Sequence, residues 1–280
     1  MKKRAMSIVL MLSMFAVLVW GCGAKSEESG NDEEKKEQTT YEKIMDKGVL
    51  TIGTEGTYKP FTYHDESDTL TGYDVEVAKA IGEKMGVKVE FSEITWEGLL
   101  ASLDNGTVDL VLNQVGVTDE RKEKYDFSDP YLYSYIALIV NKDDNEIASW
   151  DAAKGKKTSL NISSNYAAIA EEYEMDITAS ETFSKDIELL LAGRTDCVIN
   201  NTIAFNDYLI QKSDTPIKIA DVRAEADTVA VPIPKGNEDL VEAVNKAIKE
   251  LQEDGTLTKL SEQFLGKDFS RELTLEEIKN

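Results

Sequence analysis

From Val49 to Gly255 the apolar positions alternate between two periods. "VLTIGTEG" (49–56) predicts a strand running into a glycine-containing loop, and "GYDVEVAKAIGEKMG" (72–86) predicts an amphipathic helix, because Tyr73, Val77, Ile81 and Met85 recur every four residues. "VKVEFSEI" follows as a strand and "WEGLLASLDNG" as a helix closed by Asn105-Gly106. "VDLVLNQV" (108–115) and "YLYSYIALIV" (131–140) are near-continuous apolar runs, as strands covered on both faces require. A second set begins after "NKDDNE". Strands are predicted in "KKTSLNIS" and "TDCVIN", and helices in "NYAAIAEEY", "FSKDIELLLAGR" and "TIAFNDYLIQK". "TVAVPIPKG" then predicts a strand, and "DLVEAVNKAIKELQEDG" a long helix with Val241, Val244, Ile248 and Leu251 on one stripe. This alternation argues α/β layers with mainly parallel sheets, in two sets of similar size.

One segment breaks a local rule. In "TDERKEKY" Thr118 is the N-cap, with Asp119 and Glu120 behind it, so Arg121 stands in the first turn. A cation there opposes the helix dipole by ~0.3–1 kcal/mol. Such conflicts mark candidate functional positions. Ligands of open α/β sheets bind beyond the carboxyl ends of strands. Those ends carry polar sets: Glu55 to Tyr58, Asn113 to Gly116 with Gln114 between, Ser163 to Tyr166 with Ser164 and Asn165 between, and Asn200-Asn201. A cleft between two lobes would collect all four.

Composition narrows the partners. The net charge is -22, from 31 basic and 53 acidic residues. Such a surface repels nucleic acid and anionic lipid, which need clustered Lys and Arg. There is no GxSxG, no HExxH and no phosphate loop, so no cofactor or metal is expected. The single histidine, His64, sits in a polar turn, and "DESD" (65–68) reads as a solvated loop. Cys197, in an apolar run, is expected to be a buried, inert thiol.

The N-terminus carries a basic start, Lys2 to Arg4, then an apolar run from Ile8 to Trp20 that ends in Gly21-Cys22. The run is short of the ~20 residues that span a bilayer. It resembles a bacterial lipobox, with Trp20 bulkier than the small residue usual there; an ordinary cleaved signal peptide or a signal anchor is the alternative. Residues 24–40, "AKSEESGNDEEKKEQTT", lack the apolar side chains of a core and read as a disordered tether.

With these blocks in place, the chain resembles the bacterial solute-binding proteins of polar amino acid ABC importers (family 3), and their cystine-binding members most closely. The similarity covers about residues 41–270. Its most specific piece is "GYDVEVAKAIGEKM" (72–85). "TEGTYKPFTY", "WEGLLASLDNG", "TDERKEKYDFSDPY" and "PKGNEDL" are similar to family blocks, and "LNQV" to the cystine-binding branch.

The resemblance implies a two-lobed, periplasmic-binding-protein-like α/β fold of type II, with the ligand cleft between the lobes. Residues 1–21 would be a signal peptide and 22–40 the lipidated Cys22 with its tether. Lobe one would span 41–131 plus 229–280 and lobe two 132–228, with crossings near Tyr131–Tyr135 and Glu225–Thr228. The implied function is non-enzymatic: capture of a free amino acid, best fitted by L-cystine, and delivery to an ABC permease. The protein would be a monomer outside the cytoplasm, lipid-anchored to the bacterial cell membrane. The alternatives are the same fold binding glutamine or a modified amino acid, or a dehydratase-like enzyme on this scaffold.

By the same resemblance Arg121 grips the ligand α-carboxylate beside backbone N–H groups near Gly116 and Thr118. Its alternative is an ion pair with a neighbouring carboxylate such as Asp126. Tyr58 and Trp96 stand where the family stacks rings on the ligand, Glu55 where it contacts the ligand side chain, and Ser163, Ser164 and Asn165 where lobe two offers polar groups. Two positions depart from the pattern. Gly116 replaces a common Thr or Ser. Asn201 replaces the Asp that pairs with the α-ammonium. Either Glu55 or another carboxylate compensates, or the ligand is not an ordinary α-amino acid.

Cys22 is expected to be the lipidated N-terminus of the mature protein. Labelled fatty acid should enter the wild type and not Cys22→Ala; equal labelling of both would exclude it.

Overall fold

The computed structural model describes residues 38–274 and Glu277. The expected signal segment, Cys22 and the tether up to residue 37 lie outside the described residues. Helix α1 (Thr40–Lys47) opens the described chain. A capping box starts it: Thr39 Oγ1 accepts from the Glu42 N–H, and the Glu42 carboxylate accepts from the Thr39 N–H. Strand β1 (Val49–Thr54) follows, then a small antiparallel sheet of β2 (Thr57–Tyr58), β3 (Thr62–His64) and β4 (Leu70–Thr71). Helix α2 (Tyr73–Met85) buries Tyr73, Val77 and Ile81 completely, with Met85 partly covered, as the four-residue period predicts. Next come β5 (Lys88–Glu93), α3 (Trp96–Asp104) and β6 (Leu110–Val111).

These strands form a parallel sheet in the order β5-β1-β6, with Ile52 opposite Phe91 on one side and Leu110 on the other. One face holds Leu50 and Ile52 against α2. The other packs Val111 and Val115 under Leu99 and Leu103 of α3. Helix α3 comes so close that a β-carbon on Gly53 would stand 3.3 Å from Leu99 and Val108.

The ladder of β6 covers only Leu110–Val111, although an apolar run of eight residues predicts a longer strand. The reason is a change of partner. Past Leu112 the Asn113 side chain takes over from the backbone, accepting the Glu55 N–H at 2.8 Å. Gln114 then adopts φ 54°, and the chain swings away to pair with residues 228–230. Helix α4 (Asp119–Lys124), β7 (Tyr125–Phe127) and the long β8 (Leu132–Asn141) follow.

The second half contributes one 3-10 turn (Asp151–Ala153), then β9 (Lys157–Leu160), α5 (Tyr166–Glu172), β10 (Asp176–Ala179), α6 (Phe183–Leu191), β11 (Cys197–Asn201) and α7 (Thr202–Gln211). Strand β12 (Ile217–Val229) closes this set. The sheet order is β10-β9-β11-β8-β12, parallel among the first three and antiparallel where β8 pairs β11 and β12. Along β8 the period of two is exact in its consequence: Ile136, Leu138 and Val140 face Trp150 and Ala170, while Ala137 and Ile139 face α6 and α7. Both faces are apolar, which is why the sequence shows an unbroken run.

Strand β12 is poorly visible in "IKIADVRAEADTV", because Ala and charged residues interrupt any alternation. Its ladder with β8 slips between Ile219 and Asp221 and again between Val222 and Ala226. The expected strand over 228–236 is therefore two pieces, the end of β12 and β13 (Pro232–Pro234), which pairs with β7. Helices α8 (Glu238–Glu253) and α9 (Thr256–Leu265) return to cover α2. Val244, Ile248 and Leu251 of α8 are buried on its predicted stripe, with Val241 at the margin.

The chain crosses between the two sheets through β8 and β12, which lie side by side with Ser134 opposite Asp227 and Tyr135 opposite Ala226. Tyr135 ties this crossing to the C-terminal segment. Its hydroxyl donates to the Leu273 carbonyl at 2.6 Å and accepts the Leu273 N–H at 2.9 Å. Tyr135→Phe leaves both buried backbone groups without a partner and should cost about 1–3 kcal/mol in urea unfolding. A loss below about 0.5 kcal/mol would show that the segment is held by packing alone.

Candidate functional site

The carboxyl ends of β1 and β6 supply the lobe-one wall. Asn113, 1% exposed, organises it. Its Oδ1 accepts from Thr54 Oγ1 and from the Glu55 N–H, and its Nδ2 donates to Glu55 Oε2 at 2.7 Å. Glu55 is thus held in one orientation, and burial pushes its carboxyl above the ordinary value against that hydrogen bond. Gln114 is held from behind. Its N–H and its Nε2 both donate to Asp74, at 2.6 and 2.8 Å. This pairing sustains a left-handed backbone that costs a non-glycine residue on the order of 1 kcal/mol.

Arg121 sits at the centre. Thr118 caps α4 as expected, its Oγ1 accepting the Arg121 N–H. The side chain folds back under the wall and is 8% exposed. Nη1 donates to the Gly116 carbonyl at 2.9 Å, and Nη2 reaches the Ser163 carbonyl of the opposite lobe at 3.5 Å. Trp96 covers the guanidinium with its ring centre 5.4 Å from Cζ. Among the described residues no carboxylate lies within 4.0 Å of it. Asp126, the alternative partner, pairs with Lys235 instead. Burial opposes the charge of Arg121, and the nearby carboxylates Asp227 and Glu120 favour it.

Lobe two supplies the facing wall. Ser163 Oγ donates to Asn161 Oδ1, and Ser164 Oγ to the Asn161 carbonyl, so both hydroxyls shape the loop. Asn165 donates from Nδ2 to Asp227 at 3.1 Å. Tyr58 bridges the walls: its hydroxyl donates to Asn200 Oδ1 at 3.0 Å and accepts from Asn201 Nδ2 at 3.1 Å. Tyr166 lies within 3.4 Å of the same Nδ2. Asn201 is 2% exposed, and its Oδ1 caps α7 by accepting the Ala204 N–H.

A cavity of about 190 Å³ lies between these walls. Glu55, Tyr58, Trp96, Gln114, Ser164, Asn165 and Tyr166 line it. Arg121, covered by Trp96, lies outside this lining, as do Gly116, Thr118, Ser163 and Asn201. The cavity continues past Phe183 and Tyr208 to Lys59 and Lys212, beyond the residues expected from sequence. Asp227 was not foreseen either. It occupies a polar stretch without periodicity, and only pairing of residues 228–230 with 115–117 brings it beside Gly116.

The profile of the bacterial extracellular solute-binding proteins, family 3, matches residues 50–267. The chain belongs to this family. It is 39% identical to the L-cystine-binding protein TcyA of Bacillus subtilis (strain 168), across 97% of this chain and 100% of that one. The L-cystine solute receptor of Neisseria gonorrhoeae, in an unliganded open conformation, is 41% identical, with TM-score 0.61 over 84% of this chain and 100% of the other. An ancestral amino acid-binding protein, AncCDT-1, described as a precursor of cyclohexadienyl dehydratase, is 30% identical, with TM-score 0.73 over 81% of this chain and 100% of its own. The two-lobed architecture of these solute-binding proteins accounts for the two sheets and the paired crossing strands.

The remaining chemistry of this solute-binding protein is structural. Cys197 is buried, and burial pushes its thiol up to about 12, so it is protonated and unreactive at neutral pH. No helix among the described residues is long and apolar enough to cross a membrane. Asp74 is fully buried, and burial pushes its carboxyl up to about 7 from an ordinary 3.8, with the Gln114 hydrogen bonds pulling it down.

A raised carboxyl binds its proton more tightly in the folded state. The stability it contributes is complete below about pH 4 and is lost as pH rises through about 7. Relative to Asp74→Asn, the wild type should lose up to about 4 kcal/mol between those limits. Urea midpoints of both proteins across the range measure this, and a constant difference would contradict it.

Proposed function

We propose that this protein is the extracytoplasmic receptor of an amino acid ABC importer, and that it binds L-cystine or a related polar amino acid. The buried Arg121 guanidinium carries the reading. It lies in an interlobe site with donor capacity left over and no carboxylate in contact among the described residues. A planar fork of N–H groups in that state is matched by a ligand carboxylate. The relatives named for L-cystine support the choice of ligand, and the length of the cavity toward Lys59 and Lys212 suits an extended one.

In this reading the lobes are 41–131 with 229–280, and 132–228, closing about the β8 and β12 crossings. Trp96 packs on the ligand from the side away from Arg121. Glu55, fixed by Asn113, meets its polar end, and the Ser163–Tyr166 loop closes over it. Gly116 and Thr118 offer backbone groups to the carboxylate. Asn201 acts through Tyr58 rather than by contact. Cys22 holds the monomer to the membrane beside its permease, and the ligand leaves chemically unchanged.

Truncating one side of a buried charge pair costs ~2–5 kcal/mol. Arg121→Ala should therefore weaken L-cystine binding roughly 30- to 4000-fold by calorimetric titration. Arg121→Lys should recover only part of it, because an ammonium has no fork. Equal binding by Arg121→Ala and wild type would remove the carboxylate clamp. Mass spectrometry after incubation should return intact L-cystine; conversion would make the protein an enzyme.

A further inference from the structure

We propose that Asp227 is the counter-charge for the ligand's α-ammonium, and that Gly116 is glycine because any side chain there would displace this carboxylate. The inference rests on the amino acid reading above and adds to it the position of the charge that Asn201 lacks.

Three observations converge. The first concerns Asn201. Its Oδ1 is held by the Ala204 N–H and its Nδ2 by the Tyr58 hydroxyl, and it is buried beneath the cavity. One of the two acceptor sites on Oδ1 is thus taken, and a neutral amide brings no charge to an ammonium. The second concerns Gly116. Its φ is not in the left-handed region, so the backbone there suits any residue. What crowds a side chain is the surroundings. A β-carbon at 116 would stand 3.0 Å from Asp227 Oδ1 and 3.0 Å from Asn165 Nδ2. The missing side chain is thus the space that the Asp227 carboxylate and its donor occupy.

The third concerns the carboxylate itself. Asp227 is partly exposed, and its Oδ2 accepts from Asn165 at 3.1 Å. Among the described residues it has no cation within 4.0 Å. An ionised carboxylate accepts at about four sites, so most of its capacity is unused. Arg121 contacts the Gly116 carbonyl, and Asp227 borders the open side of the same residue. Gly116 therefore stands between a buried cation and a partly exposed carboxylate. An α-amino acid carries the complementary pair, a carboxylate and an ammonium on one carbon. Asn165 orients Asp227 through its hydrogen bond to Oδ2.

The test compares two probes by calorimetric titration: L-cystine, and dithiodipropionate, which keeps both carboxylates and the disulfide but has no ammonium. Asp227→Asn preserves shape and the acceptor for Asn165. It should weaken L-cystine binding at least ~30-fold and leave dithiodipropionate unchanged or tighter. Gly116→Ala should weaken L-cystine in the same selective way, and it keeps the inference testable if Asp227→Asn fails to fold by circular dichroism. Equal binding of L-cystine by wild type and Asp227→Asn overturns the inference and leaves the importer reading standing. So does an equal loss on both probes, or a gain on both, which would make Asp227 a competitor for Arg121. A wild type that binds neither L-cystine nor L-glutamine overturns the importer reading itself, and this inference with it.

Discussion

A guanidinium taken out of water needs acceptors, and Arg121 has only two carbonyls and one aromatic face. That imbalance is the constraint around which the cleft is arranged. Burying an unpaired charge is expensive, and proteins tolerate it where a ligand or a switch makes use of it. Everything near Arg121 serves to hold it in that state. Thr118 fixes the turn from which it departs, Trp96 excludes water from one side, and the Gly116 carbonyl sets the direction of the fork. The expected conflict with the helix dipole is small here, because α4 has only six residues and Arg121 stands in its last turn as well as its first.

The wall behind it depends on a second buried ionisable group. Asp74 stands in the first turn of α2 and receives two hydrogen bonds from Gln114. Those bonds hold the left-handed turn that takes the chain off the β1 sheet and toward β12. Without that turn, residues 115–117 would continue as a sheet strand and Gly116 would not meet Asp227. A helix N-terminus, a left-handed residue and a crossing strand thus form one continuous chain of contacts from α2 to Asp227.

The paired crossing strands have two tasks. Their ladder joins the lobes, and the slip between Val222 and Ala226 ends just before Asp227. Bulged segments re-aim side chains, and here the segment brings the Asp227 carboxylate beside Gly116 and Asn165. The two walls are joined by Tyr58, whose hydroxyl satisfies one amide group on each of two adjacent residues, Asn200 and Asn201. The ring expected to stack on a ligand therefore also latches the lobes, a role that needs its hydroxyl rather than its face.

The sequence by itself determined what is local. Helices α2 and α8 follow from four-residue periodicity, β8 from an apolar run buried on two faces, and the α4 cap from Thr118, because each signal is complete within a few residues. It also exposed Arg121 as out of place and Asn201 as lacking a charge. Tertiary structure alone decided the partners. Asp74 meets Gln114, Asn113 fixes Glu55, Tyr58 reaches Asn200, and Asp227 fills the space left at Gly116, across separations of 40 to 142 residues. Strand β12 was invisible because its alternation is broken by charge and by a bulge, so its carboxylate could not be assigned to a face. Periodicity reports which side of an element is buried. It carries no information on which distant element will be there, since that depends on how whole sheets pack, and the charge balance of this cleft is set at that level.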